Sequence, residues 1–337
     1  MAEDVTVSEE TLTGALSLLV SLGQILLQNA QQEAAASLQT FVPHKITTLF
    51  GLITAGENFY RRIGVKTKGE AEAVWQKLYH HPAVREQVEE LLNLENEWDS
   101  FLQSVDKDLQ TTDELLSRAK PADSLSPDSV FTDARSKEQE CDSGSVLGSE
   151  AAAGSNWTFW MAAVTGPCGR AGDQSGQSTF CDLFQKPLKW AKMLKNHLQT
   201  LLEAQSVRVM VVSFGSVEGA QLWLEQTGCT FEMLLDSQKK VYQSFGLGSS
   251  FSKVLKFGCL MQLSEFSAAD RDVPDFPHRL LEDIYQLGGD FLLDETGKVL
   301  LSHPSKTPLD RPSLKDVLQA AEDDSTSSYE DKNEQKP

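Results

Sequence analysis

No Cys-x-x-Cys occurs anywhere in this sequence, and its five cysteines (Cys141, Cys168, Cys181, Cys229 and Cys259) follow no regular spacing. An odd, irregular set is not a disulfide framework, and no Cys/His spacing suits a structural zinc site. Basic residues are also scarce. Lys and Arg total 30 against 49 Asp and Glu, for a formal net charge of -19. A surface of that sign repels phosphate backbones and anionic headgroups, so neither a nucleic-acid nor a membrane partner is expected. The N-terminus lacks the basic start of a secretory signal and reads Met1-Ala2-Glu3-Asp4 instead. Leu12 to Leu27 is apolar-rich, but Ser17, Ser21, Gly23 and Gln24 interrupt it, and it reads as too short for a membrane span. Asn156-Trp157-Thr158 matches the glycosylation pattern and is read as a chance match. No glycine-rich loop opens a helix to cradle phosphate, since Gly246-Leu247-Gly248 follows a helix, and no cofactor is expected. These absences together point to a cytoplasmic, reducing location.

What is present is enough for two domains. The chain has 337 residues, and a hydrophobic share of 40% can supply a core to each. Residues 1–118 read as helical. Ser8 caps a first helix whose Leu12, Leu16, Leu19, Gly23 and Leu26 follow helical spacing. A second helix is expected over Gln32 to Ile53, interrupted near Pro43. A third starts near Glu70, carries Val74, Trp75 and Leu78, and ends at His80-His81-Pro82. Val84, Val88, Leu91, Trp98, Leu102, Val105 and Leu109 then form a heptad stripe that only Glu95 interrupts. Packing inside an antiparallel helical bundle is the preferred reading of this stripe. A helix-binding protein partner docking on it is the functional alternative.

Residues 119–155 are rich in Ser, Asp and Glu with few large apolar side chains, and read as a disordered linker. Gly154 to Ser178 shows no clear periodicity despite Trp157, Phe159 and Trp160. Pro187 opens an expected helix with Trp190, Leu194, Leu198 and Leu201 on its apolar face. Val207 to Phe214 reads as a buried central strand, followed by a helix that Ser216 caps. Phe231 to Leu235 is a second strand, and Asp236 caps a short helix that Gly246 ends. Residues 248–285 read as an insertion with one helix near Leu280 to Tyr285. Phe291–Leu293 and Val299–Leu301 form a hairpin about the turn Asp294-Glu295-Thr296-Gly297. Asp310 and Pro312 open a last helix, and 322–337 read as a disordered acidic tail. Strands alternating with helices imply parallel central strands. The fold class expected is α+α/β: an N-terminal helical bundle, then a thioredoxin-like α/β domain over 156–321.

The segments Ser213-Phe214-Gly215, Thr227-Gly228-Cys229, Leu235-Asp236 and Phe245-Gly246-Leu247, with Gln286 through Val299, resemble the peroxiredoxin-like (AhpC/TSA-type) branch of the thioredoxin fold. Within that branch the chain is most similar to the selenoprotein L group. The resemblance covers about a third of the chain, and His303 and Asp310 stand where the family often has similar residues. It implies a thiol- or selenol-dependent oxidoreductase acting on peroxides or disulfides, with thioredoxin or glutathione as reductant. It also implies a Cys-x-x-Cys, or two selenocysteines at that spacing, at the N-terminus of the helix before the central strand. A helix N-terminus lowers a thiol pKa, and the second chalcogen resolves the intermediate.

That turn falls near Phe184-Gln185-Lys186-Pro187-Leu188-Lys189, which holds no thiol. Three readings stay open. Cys181 lies near the expected helix start, although Asp182 opposes thiolate formation. Cys168 ends a Thr165-Gly166-Pro167-Cys168 run that is similar to the Thr-x-x-Cys of true peroxiredoxins, with Met161 where that motif has proline. Cys168 and Cys181 are therefore the candidate catalytic residues. The third reading is a transcript spliced around a selenocysteine codon, which would remove the first strand and the redox turn together. A redox-inactive scaffold carrying a partner-binding helical domain is the alternative to an enzyme. Cys229 and Cys259 read as core thiols, and His303 as a surface or hydrogen-bonded histidine without an acidic partner.

Overall fold

The structure is a computed structural model that describes residues 7–136, 140–142, 156–161, 207–268, 283–294, 296–313 and 315–321. The first elements are α1 (Glu9–Ala36), α2 (Leu38–His44), a 3-10 turn (Ile46–Phe50), α3 (Gly51–Ile63), α4 (Lys68–Leu78), α5 (Pro82–Leu109) and α6 (Thr112–Leu116). Next come β1 (Val130–Asp133), β2 (Glu140–Asp142), β3 (Asn156–Met161), β4 (Val207–Ser213), α7 (Val217–Thr227), β5 (Glu232–Leu235) and α8 (Lys240–Ser244). Then follow α9 (Phe251–Val254), α10 (Phe257–Ala268), β6 (Gly289–Leu293), β7 (Val299–Pro304) and a helix α11 over 315–321. The chain forms two compact units. Among the described residues, one holds 7–109 and 251–268, and the other holds the rest.

In the helical unit Ser8 caps α1, its side chain accepting the Thr11 amide at 3.2 Å. The helix continues past Gln32 to Ala36, so the break expected there moves to Ser37. Helix α2 ends at His44, so the interruption expected near Pro43 falls one residue on, before the 3-10 turn. At 28 residues α1 is long and apolar enough to cross a membrane by length and composition. Length therefore does not set α1 apart from a span, contrary to the expectation of a run too short to cross. Its Leu12, Leu16, Leu19 and Leu27 are nonetheless buried among protein side chains.

The α5 stripe runs unbroken, because Leu94 and not Glu95 fills the gap between Leu91 and Trp98. Steps of three and four keep one face inward. Val84, Val88, Leu91, Leu94, Trp98, Leu102 and Val105 are all buried. That face packs against α1, α9 and α10, so it offers no open groove to a partner helix. The Trp98 indole donates to the Leu255 carbonyl at 2.9 Å and meets Phe257 edge-on at 5.8 Å.

The segment read as an insertion thus supplies two helices of this unit. The helix expected near Leu280 to Tyr285 is not found in its described part, where 284 and 285 are turn. Asp283, which accepts the Tyr285 amide at 3.1 Å, holds the backbone in that turn. Instead α10 lies on α3, where the Tyr60 hydroxyl donates to the Met261 carbonyl at 3.1 Å and Arg61 donates to the Ser267 carbonyl at 3.0 Å. Cys259 is buried in α10.

The other unit is built on a seven-stranded sheet in the order β2-β1-β5-β4-β3-β6-β7. Strands β3, β4 and β5 are parallel, and β6 runs antiparallel to β3. The interior strand β3, next to the central β4, comes from the stretch that shows no periodicity. A spliced loss of the first strand is therefore overturned, since Asn156–Met161 pairs with β4 on one side and β6 on the other. The expected helix opened by Pro187 lies outside the described residues.

Residues 119–136 and 140–142 are not a disordered linker. Strand β1 pairs with β2 and β5. Few apolar residues are available, but Leu125 and Phe131 are both placed in the core beside Val212, Leu234, Phe245 and Phe291. Each such burial contributes about 1.5–3 kcal/mol. Backbone bonds from Ala122 to the Ser244 carbonyl and from Leu125 to the Gly297 carbonyl, both 2.8 Å, fix the path. Residues 143–155 lie outside the described ones.

Candidate functional site

The three parallel strands end on one edge of the sheet, at Met161, Ser213 and Leu235. Gly289, which opens β6, pairs with Met161 on one side and with Pro304 at the end of β7 on the other. Ligands of open α/β sheets bind outside the carboxyl ends of their parallel strands, so this edge is where chemistry is sought. Gly289 has no room for a side chain. An added Cβ would lie 2.8 Å from the Phe291 ring and 2.9 Å from the His303 carbonyl oxygen.

The next residue, Asp290, is a buried carboxylate in an otherwise apolar strand. Its register partners are Trp160 and His303. Arg311, from the segment after β7, donates to Asp290 Oδ2 at 3.2 Å, and both side chains are largely shielded from solvent. Burial pushes the Asp290 carboxyl up, while Arg311 and His303 pull it back and Asp310 adds to the rise. His303 Nε2 lies 3.3 Å from Asp310 Oδ1, close enough for an ion pair if the imidazole is protonated but without hydrogen-bond geometry, so an acidic group does neighbour His303, contrary to the sequence reading. That neighbour was hidden because it follows a turn, where the other oxygen of Asp310 accepts the Lys306 amide at 2.8 Å.

A second polar group lies beyond β4 and β5. Asp236 caps α8, its carboxylate accepting the amides of Lys240, Val241 and Tyr242 at 2.7 to 3.1 Å. Burial raises its pKa against the pull of those donors. The buried Tyr242 hydroxyl donates to the Val212 carbonyl at 3.0 Å, and burial, then Asp236, hold it protonated well above its ordinary range. Lys239 stands 4.1 Å from the Phe214 ring centroid and pairs with Asp283 at 2.9 Å. Its backbone is left-handed, with φ at 54°.

This edge therefore carries two cations, Arg311 and Lys239, each matched to a carboxylate, but no thiol among the described residues. Cys229 is buried ahead of β5, toward the opposite edge, and Cys259 belongs to the helical unit. The side chain of Cys141 in β2, and the whole of Cys168 and Cys181, lie outside the described residues. Cys168 follows the end of β3 at Met161 by seven residues, and an extended run of that length reaches up to about 24 Å. Sequence reasoning passed over Asp290 and Arg311. The signal was there: a lone charge in Gly289-Asp290-Phe291-Leu292-Leu293 needs a partner. Among the described residues no group of three or more His, Cys, Asp or Glu is placed to hold a metal ion.

Residues 193–307 match the family model described as AhpC/TSA antioxidant enzyme. This stretch contains β4 through β7, so the C-terminal half carries a peroxiredoxin-like domain of the thioredoxin fold. It begins after both Cys168 and Cys181. No curated protein matches the chain. Among solved structures, the peroxiredoxin-like protein from Aquifex aeolicus is similar at 11% identity and a TM-score of 0.30, over 60% of this chain and 86% of its own. A peroxiredoxin Q mutant from Xanthomonas campestris is similar at 12% identity and a TM-score of 0.26, over 53% and 84%. A hypothetical protein from Sinorhizobium meliloti gives 11% and 0.29, over 54% and 69%.

Proposed function

We propose that this chain is a thiol redox protein of the peroxiredoxin-like group that reduces peroxides or disulfides, with Cys168 attacking and Cys181 resolving. The observation that carries this reading is the end of β3 at Met161, seven residues before Cys168. It lies on the sheet edge that holds Asp290, His303 and Arg311. The Cys168 thiolate attacks the peroxide O–O bond and becomes a sulfenic acid, while the departing alkoxide takes a proton and leaves as alcohol. The Cys181 thiol then displaces water from the sulfenic acid to give a disulfide, which thioredoxin or glutathione reduces back to two thiols. Such a reductant fits a cytoplasmic setting. Selenoprotein L is the finer identity within the group.

A redox-inactive scaffold is the second reading. The absence of any thiol in Phe184–Lys189 favours it, and so does a family match that starts only at residue 193. The helical unit would then carry the function by binding a partner.

Peroxide consumption by the purified chain, coupled to thioredoxin or to glutathione, separates the two. The enzyme reading expects turnover that Cys168→Ser abolishes. Cys181→Ser should limit it to a single turnover that leaves a trapped sulfenic acid. Equal, background-level consumption by wild type and by the Cys168→Ser/Cys181→Ser variant would overturn it in favour of the scaffold.

A further inference from the structure

Among the described residues of the helical unit, Tyr79 and Leu92 are exposed singly, and the exposed apolar side chains that share one helix face lie on α1. Leu18, Leu22 and Ile25 are 46%, 36% and 52% exposed. Their spacing of four and three residues puts them on one face of the helix. The opposite face, with Leu12, Leu16, Leu19 and Leu27, is committed to the core. Around the outer stripe stand Ser17, Ser21, Gln24, Gln28 and Asn29, all exposed. From Thr11 to Gln32 no residue carries a charge.

This is unusual on a chain of net charge -19. Two copies repel one another over most of their surface, and only a charge-free face lets them approach without that cost. We propose that the outer face of α1 pairs with the same face of a second copy of this chain, in an antiparallel two-fold contact centred on Leu22. A two-fold contact joins the same patch to itself. With Leu22 on the axis, Leu22 meets its counterpart, and Leu18 of one copy meets Ile25 of the other, the knobs-into-holes arrangement of a short helix pair. The acid at the far end of the uncharged run is compensated, since Lys45 Nζ lies 2.6 Å from Glu33 Oε1. A lipid surface is the poorer fit. Helices that lie in a membrane interface carry Lys and Arg along their polar face, and α1 has neither. Crossing a bilayer would require pulling Leu12 and Leu16 out of the core.

Sedimentation of the full-length chain over a concentration series tests this. Wild type should sediment as a dimer. Leu18→Glu/Ile25→Glu should weaken association at least about tenfold, with an unchanged circular dichroism spectrum. In a chain whose Cys141, Cys168 and Cys181 are serine, Leu22→Cys should cross-link to itself far more readily than Leu18→Cys. A wild-type monomer throughout, a dimer indifferent to Leu18→Glu/Ile25→Glu, or equal cross-linking at both positions would overturn the proposal. So would flotation of a monomeric chain with neutral phosphatidylcholine vesicles, which would assign the face to lipid.

Discussion

Asp99 and Asp106 stand seven residues apart on α5, and each caps the N-terminus of a different helix. Asp106 accepts the Phe251 and Ser252 amides at 2.8 and 3.0 Å and the Ser252 hydroxyl at 2.6 Å, holding α9. Asp99 accepts the Phe257 amide at 2.9 Å, holding α10. Two turns of α5 thus carry both attachment points for residues that follow more than a hundred positions later in sequence. Acceptors at helix N-termini satisfy amides that have no intrahelical partner.

Replacing Asp106 should therefore be costly, because the side chain is buried and serves three donors. Asp106→Ala is expected to lower stability by about 2–3 kcal/mol, the sum of a lost cap and unpaired amides. Asp106→Asn should lose less. Urea denaturation of the two variants gives the comparison.

Helices α3 and α10 approach closely at Gly56, where a Cβ would lie 2.9 Å from Ser264 Cβ and 3.0 Å from Met261 Sδ. Overpacking of this kind costs about 1–3 kcal/mol. Gly56→Ala should lower the thermal midpoint, and Ser264→Gly in the same chain should recover much of the loss. A midpoint unchanged by Gly56→Ala would show that α3 and α10 separate freely.

The Asp290–Arg311 pair should behave as a buried ion pair. Arg311→Leu leaves a buried carboxylate without its principal partner, and about 3–5 kcal/mol of destabilisation is expected. The double variant Asp290→Leu/Arg311→Leu removes both charges and should regain most of it. A double-mutant cycle by chemical denaturation reads the coupling directly.

Asp236 makes a pH-dependent contribution of known sign. Burial raises its folded pKa above the unfolded value of about 3.9. The folded state then holds its proton more firmly, so stability falls as pH rises from the unfolded pKa through the folded one. Asp236→Asn should be the weaker protein overall, yet its urea midpoint should fall less between pH 4 and pH 7 than that of wild type. An equal fall in both would exclude this carboxyl as a source of the slope.

Thiol accessibility offers a separate check. Cys229 and Cys259 are 7% and 4% exposed, so iodoacetamide should leave both unmodified in the native chain and label both in urea. Cys229→Ser/Cys259→Ser should keep any peroxide turnover intact. Loss of turnover in that variant would relocate the chemistry.

Local pattern was enough for much of this protein. The heptad of α5 set its length and its inward face, and the β-branched run at Val207 to Ser213 could only be a buried strand. Asp236 and Gly246 marked the two ends of α8, and Asp294 with Gly297 marked the hairpin turn. Each of these is a property of neighbouring residues, because helix and strand periods, caps and turns are set within a few positions of chain. The boundary between α1 and α2 was misplaced, because it is set at Ser37, an N-cap that accepts the Thr40 amide, and not near Gln32.

Tertiary structure decided what no period encodes. Strand β3 gains its identity from lying between β4 and β6, β1 from two buried side chains in a polar stretch, and the acidic neighbour of His303 from a turn that folds back on β7. The helices α9 and α10 join the N-terminal helices because Asp99, Asp106 and Tyr60 meet their backbone across long sequence separations. Local pattern thus set the buried face of the elements it could identify, such as α5 and β4. Which faces would meet is a matter of shape, hydrogen-bond satisfaction and charge between distant segments, and that is settled only when the chain packs.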